Sequence, residues 1–173
     1  MDDLYARIVR ERGKLESLME KVPGFRGYME MSARRQADRL IREHVAEQLK
    51  LQLNRLPNIE KLLLDQGGLS HMSKTRSVKT KMQTFVDRIA TDTPGYSGFF
   101  DAVKIDAEDL EVAYAFDRAL LDYVDKFKEK LDALHGAALK GEGVDEAIRE
   151  LDTLAVEANE AYNLRDSVMK GIE

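Results

Sequence analysis

The chain has 173 residues, enough for one domain with a substantial core, and its hydrophobic content of 43% excludes disorder caused by low hydrophobicity. It contains no cysteine, which excludes disulfides, thiolate metal sites and a thiol nucleophile. Its longest aliphatic run is Leu62–Leu64 and no signal-like leader opens it, so we expect a cytoplasmic protein without a transmembrane segment.

Charge is distributed unevenly along the chain. Residues 1–90 carry 18 Lys and Arg against 12 Asp and Glu, a net charge of +6, whereas residues 91–173 have a net charge of −11. Two oppositely charged halves attract each other, within one chain or between chains that meet head to tail. The alternative is a basic face for phosphate or anionic lipid, and the net charge of −5 for the whole chain favours the first interpretation.

The first predicted helix begins at Asp2 and Asp3, whose carboxylates suit the positive end of a helix dipole. Its apolar residues recur at steps of three, four or seven positions from Leu4 to Val22. Val22 precedes a proline, which disfavours helical dihedral angles and predicts the end of the helix.

A corner between two antiparallel helices is predicted next. Proline fixes one φ, the glycines can adopt positive φ, and the aromatic rings can cover the end of a core. The residues assigned to this corner are Pro23, Gly24, Phe25, Gly27 and Tyr28.

Apolar spacing predicts a second helix from about Tyr28 to Leu56 and a short helix that starts at Pro57 or Asn58. A glycine pair at residues 67–68 separates them from a further helix between about Ser70 and Ala90.

The corner pattern recurs 71 residues later, as proline, glycine, aromatic, any residue, glycine, aromatic. One interpretation is an internal duplication, with residues 1–66 and 70–138 as the two copies; chance or shared turn chemistry is the other. The second corner consists of Pro94, Gly95, Tyr96, Gly98 and Phe99.

The helix after the second corner has Asp106 as its predicted N-cap and carries the most regular heptad stripe of the chain, which predicts a central helix. Asp117 is the one acid in that stripe. A buried carboxylate needs a partner, and we expect an arginine of the second helix to supply it. Glycines 136, 141 and 143 are expected to stop this helix, and the C-terminal helix is predicted over residues 143–170.

Because no segment alternates convincingly as a strand, the sequence predicts an all-α fold. We expect an antiparallel helical bundle of about five main helices, in a single domain over residues 1–173. Two related helical hairpins and the C-terminal helix would build it.

No catalytic residue, cofactor or metal site is predicted. The three histidines, His44, His71 and His135, lack the Glu-x-x-His spacing of a di-metal carboxylate bundle, and Asp132 before His135 is the nearest match. The chain also lacks the setting of a nucleophile elbow and the Gly-Lys-Ser/Thr core of a phosphate loop.

The strongest polar cluster is basic and lies in the first half of the chain. It could bind phosphate, lipid headgroups or the acidic helix of a partner, whereas the structural interpretation pairs some of its members with acids such as Glu30 and Asp38. The candidate interaction face comprises Arg34, Arg35, Arg39, Arg42, Lys74, Lys79 and Lys81.

The motif Pro-Gly-Phe-x-Gly-Tyr at residues 23–28, followed by Arg34-Arg35-x-Ala37-Asp38-Arg39, resembles a group of uncharacterised bacterial all-helical proteins. The motifs at residues 95–101 and 114–117 are similar to the same group. The resemblance covers most of the chain and implies a helical architecture with repeated corners, but no activity.

Three functions remain open from the sequence. The leading hypothesis is a non-enzymatic interaction or scaffold protein that acts through protein–protein contacts, as a homo-oligomer or an adaptor. The second is peripheral binding of anionic membrane or nucleic acid through the basic half, and the third and least favoured is a metal-binding helical enzyme.

Overall fold

The structure is a computed structural model that describes residues 2–10, 15–30, 33–91 and 105–171. Within these ranges the regular elements are helical and no β-strand occurs, which confirms the predicted all-α class. The α-helices are α1 (Asp2–Arg10), α2 (Leu15–Lys21), α3 (Arg34–Leu53), α4 (Leu56–Asp65), α5 (Met72–Ala90), α6 (Ala107–Lys140) and α7 (Val144–Gly171). A short 3₁₀ helix, Leu69–His71, precedes α5.

Four long helices form a bundle in which α3 packs on α5, α5 on α7, α7 on α6 and α6 on α3. The cross-helix bonds give the directions: Lys81 binds Asp152 and Arg88 binds Asn163, so α5 and α7 run parallel. Lys130 binds Glu150, and α6 and α7 are antiparallel across the short turn that joins them. The bundle therefore mixes antiparallel and parallel neighbours.

The helix α6 is the centre of the molecule, as its heptad stripe predicts. It contacts α1, α2, α3, α4 and α7. Across the core, Phe85 of α5 packs against Tyr123 and Phe127 of α6, with ring centroids 6.1 and 6.0 Å apart. A helix that is covered on several sides needs apolar residues on more than one face, and α6 has them.

Most of the helix ends in the described residues lie where the predicted capping and stop residues place them. Asp106 caps α6 through a capping box, because its carboxylate accepts the N–H of Asp109 at 2.9 Å and the Asp109 carboxylate accepts the N–H of Asp106 at 3.3 Å. The expected stop at Gly136 is wrong, because α6 continues through this residue; the helix ends at Lys140, where Gly141 adopts a φ of 72°. Helix α2 ends at Lys21, two residues before Pro23.

One predicted helix start is wrong. The second helix was expected from about Tyr28, but α3 begins at Arg34. Tyr28 lies outside any helix because its backbone N–H donates to the Tyr114 hydroxyl and its carbonyl accepts from the Arg34 side chain. These tertiary bonds replace the helical ones.

None of the described helices is both long enough and apolar enough to cross a membrane. Of the two predicted corners, residues 94–101 lie outside the described residues, so the internal duplication stays a prediction.

The N-terminal helix α1 is attached to the bundle through Glu157 of α7. The Glu157 carboxylate accepts hydrogen bonds from Arg7 of α1 and Tyr123 of α6, each at 2.8 Å. Burial acts to raise the pKa of Glu157, but the bonds from Tyr123 and Arg7 outweigh it and hold this pKa below its ordinary value of 4.5.

A carboxyl group with a lowered pKa stabilises the folded state above its unfolded pKa, and this stabilisation is lost as the pH falls through the folded pKa. We therefore expect Glu157→Gln to reduce the pH dependence of the free energy of unfolding between about pH 5 and pH 3. Urea unfolding across this range measures the effect, with Glu160→Gln, an exposed change one turn away, as the control. Wild-type and Glu157→Gln curves that stay parallel would contradict this role.

Candidate functional site

A cluster of charged side chains is buried in the bundle near the first corner. Arg165 of α7 donates from Nη2 to Asp38 at 2.6 Å and to Asp117 at 2.8 Å, and from Nε to Asp117 at 3.1 Å. Arg42 donates from Nε to Asp38 at 2.7 Å. The Tyr28 hydroxyl donates to the other oxygen of Asp117 at 2.5 Å. We call Tyr28, Asp38, Arg42, Asp117 and Arg165 the buried cluster.

The expected partner of Asp117 is wrong in one respect. An arginine of the second helix was predicted, but the guanidinium that binds Asp117 belongs to Arg165 of α7, and Arg42 of α3 binds Asp38 instead. The sequence contained a signal for Arg165. It lies three residues after Tyr162 and four before Met169, on the apolar line of the last helix.

The charges of the buried cluster balance, with two carboxylates against two guanidinium groups. Asp117 and Arg165 are both 0% exposed. Burial raises the pKa of Asp117, although Arg165 and the Tyr28 hydroxyl act in the opposite direction. Burial and the nearby carboxylates likewise raise the pKa of Tyr28 well above its ordinary value, so the phenol stays protonated as a donor.

Tyr28 fastens the corner to this cluster. Its hydroxyl, N–H and carbonyl all form hydrogen bonds, to Asp117, Tyr114 and Arg34 respectively. Its ring stacks on that of Tyr114, with centroids 5.4 Å apart and an interplanar angle of 8°, and meets Phe25 edge-on at 5.6 Å. Tyr28 is therefore held in place without regular secondary structure.

The first corner has the backbone geometry that its glycines predict. Gly24 and Gly27 adopt φ values of 82° and 88°, in the left-handed region. Phe25, Gly27 and Tyr28 are buried, while Pro23 and Gly24 are exposed. At Gly27 an added Cβ would lie 2.7 Å from the Tyr114 hydroxyl, so the close approach also requires glycine.

The outer side of this loop and the first turns of α3 enclose a groove of about 710 Å³, which we call the corner groove. Phe25, Ala33, Ala37 and Leu40 supply its apolar lining. Its polar lining includes Arg26, Glu30, Arg39 and Glu43. Met29, which also lines the groove, is 71% exposed.

The basic residues predicted to share an interaction face do not all lie on the surface. Arg34 and Arg42 are buried, with 7% and 2% exposure, so their inclusion in an external face is wrong. The Nε of Arg34 donates to the Tyr28 carbonyl, and Nη1 of Arg42 donates to the carbonyl of Ile89 at 3.1 Å. Arg34 therefore holds the corner, and Arg42 holds α3 against the C-terminal end of α5.

The remaining members of that predicted face lie on two helices. Arg35 and Arg39 are exposed on α3, and Arg39 forms a salt bridge with Glu43 at 2.6 Å. On α5, Lys74 binds Asp145 at 2.8 Å and Lys81 binds Asp152 at 2.5 Å, both across the contact with α7. Lys79 is half-buried. Lys74 and Lys81 therefore join two helices of the bundle.

In the part of the chain that the structure describes, no three or more His, Cys, Asp or Glu side chains are grouped so that they could hold a metal ion. Of the histidines, His71 lies 3.2 Å from Asp145 through Nδ1, beside Lys74. This contact joins the turn before α5 to the first turn of α7.

Comparison with protein-family models, with curated proteins and with solved structures found no match. The resemblance to uncharacterised bacterial helical proteins stays a prediction.

Replacing Gly27 tests the corner. Gly27→Ala imposes a left-handed conformation that costs an alanine about 1–2 kcal/mol and pushes the Cβ against the hydroxyl that accepts the Tyr28 N–H, so we expect a loss of at least about 2 kcal/mol in the free energy of unfolding. Gly136→Ala is the matched control. Gly136 lies within α6 with open space around it, and there alanine should stabilise by about 0.5–1 kcal/mol. Chemical denaturation measures both, and equal effects would contradict the assignment.

The hydroxyl of Tyr28 is tested separately. Tyr28→Phe keeps the stacked ring but removes a donor from the buried Asp117 carboxylate, and we expect it to lower the free energy of unfolding by about 1–3 kcal/mol. The control is Tyr5→Phe, because Tyr5 also packs on an aromatic ring but is 38% exposed. If the Tyr28→Phe protein is as stable as the Tyr5→Phe protein, the hydrogen bond from Tyr28 to Asp117 does not contribute to the free energy of unfolding.

Proposed function

We propose that this chain is a non-enzymatic interaction or scaffold protein of the cytoplasm that acts through protein–protein contacts and associates with itself. The observation that carries the proposal is the corner groove with Met29 at its edge. An apolar lining beside an exposed methionine, surrounded by charged side chains, has the composition of a protein interaction surface.

The conformation of this surface supports the proposal. Met29 directly follows Tyr28, whose three polar groups are all bonded inside the bundle. A loop fixed before binding loses little conformational entropy when a partner arrives, and that raises affinity. The corner therefore presents Met29 at low entropic cost.

Large apolar side chains are also exposed elsewhere among the described residues, and exposed apolar side chains are ordinary on a monomer. They are Tyr5, Met19, Leu51, Leu64, Leu69, Leu139 and Val156. Met29 in addition lines a groove of about 710 Å³, together with the small side chains of Ala33 and Ala37.

The alternative of an anionic membrane or nucleic-acid surface receives less support. Of its seven candidate residues, Arg34 and Arg42 are buried, and Lys74 and Lys81 bind carboxylates of α7. Screening by paired carboxylates weakens the field that a phosphate-bearing ligand would meet. These contacts favour protein–protein interaction over binding of an anionic membrane or nucleic acid.

Self-association is measured by sedimentation equilibrium of the purified chain over a range of concentrations. We expect the weight-average mass to rise with concentration from the 19.7 kDa of one chain toward twice that value. A single species of one-chain mass at every concentration, including the highest that stays in solution, would refute self-association.

A further inference from the structure

We infer that the partner at the corner groove is a second copy of this chain, related by a two-fold axis that places Met29 of each copy in the groove of the other. This inference rests on the proposed function and specifies its interface. The observation behind it is that one surface carries a protruding apolar side chain, an apolar groove and charges of both signs.

The shapes of the two features are complementary. Met29 projects from the loop with 71% of its surface exposed. Beside it, Ala33 and Ala37 of α3 leave room that larger side chains would occupy, and Leu40 one turn further on is half-buried. A methionine side chain is unbranched and flexible, so it can follow an irregular groove of this kind.

The charges around the groove suit a second copy. Arg26 and Arg39 face the same groove as Glu30 and Glu43, so the formal charge of the rim is zero, whereas the whole chain has a net charge of −5. Two copies repel each other less through a neutral surface than through an acidic one. Arg39 and Glu43 already bind each other within one chain at 2.6 Å. A two-fold contact also lets Arg26 of each copy meet Glu30 of the other.

The buried cluster fixes the geometry on which this contact depends. Gly27 and Tyr28 are both buried, and Tyr28 is bonded to Asp117, so the next residue leaves the bundle in a defined direction. The groove wall opposite belongs to α3, which the same cluster holds through Asp38 and Arg42. The position of Met29 and the position of the groove wall on α3 therefore depend on the same buried cluster.

Two matched substitutions test the interface by sedimentation equilibrium. Met29→Glu places a charge in the groove of the partner, and we expect it to weaken dimer formation at least tenfold. Leu69→Glu makes the same kind of change at a residue of nearly equal exposure, 72% against 71%, which lies outside the corner groove in the turn before α5. We expect this control to change the dimer dissociation constant by less than twofold.

A third variant fills the groove from the other side of the contact. Ala37→Gln keeps a helix-favouring residue on α3 but occupies the space that Met29 of the partner requires, so we expect it also to weaken the dimer at least tenfold. Thermal unfolding followed by circular dichroism confirms that each variant is folded before its mass is interpreted.

The outcomes separate the interface from the function. If the wild-type chain is a dimer that neither Met29→Glu nor Ala37→Gln dissociates, this interface is wrong although self-association is retained. If only Leu69→Glu dissociates the dimer, this interface is also wrong, and the contact lies at the turn before α5. A wild-type chain that is monomeric throughout overturns both the proposed self-association and this inference. Assembly beyond the dimer overturns the two-fold arrangement, because a two-fold contact closes at two copies.

Discussion

The bond between the Asp117 carboxylate and the Arg165 guanidinium joins the first half of α6 to the C-terminal part of α7, and both side chains are fully buried. Water cannot compensate either charge there, so each requires the other. Asp38 shares the same guanidinium nitrogen and brings in α3, and Tyr28 adds the loop before it. One group of bonds therefore determines how three helices and a loop meet.

Such a cluster is better understood as a source of specificity than of net stability. The desolvation of paired charges offsets much of their attraction, and apolar residues of the same size can stabilise a core equally well. An apolar contact would, however, tolerate a shift of α7 along α6, whereas the fork of Arg165 must reach both Asp38 and Asp117. We infer that the cluster fixes the register of the helices at this end of the bundle.

The contacts that hold Tyr28 also position the exposed residues of the first corner. Tyr28 is held by three hydrogen bonds and by stacking on Tyr114, and this fixes the position from which Met29 leaves the bundle. Gly27 supplies the left-handed backbone that lets the loop pass close to the Tyr114 hydroxyl. An exposed methionine and a groove follow from contacts made entirely inside the molecule.

Features that depend on near neighbours along the chain could be predicted from the amino-acid sequence. The helical class, the cap at Asp106, the left-handed glycine at the first corner and the central position of α6 follow from periodicity and turn chemistry, which act over a few residues. Long-range contacts set two features that periodicity does not specify: Tyr28 lies outside the predicted helix, and Arg165, rather than an arginine of α3, binds Asp117. The bonds responsible, from the Tyr28 N–H to Tyr114 and from Arg165 to Asp117, join residues 86 and 48 positions apart, and no local pattern specifies which distant group a buried polar group will meet.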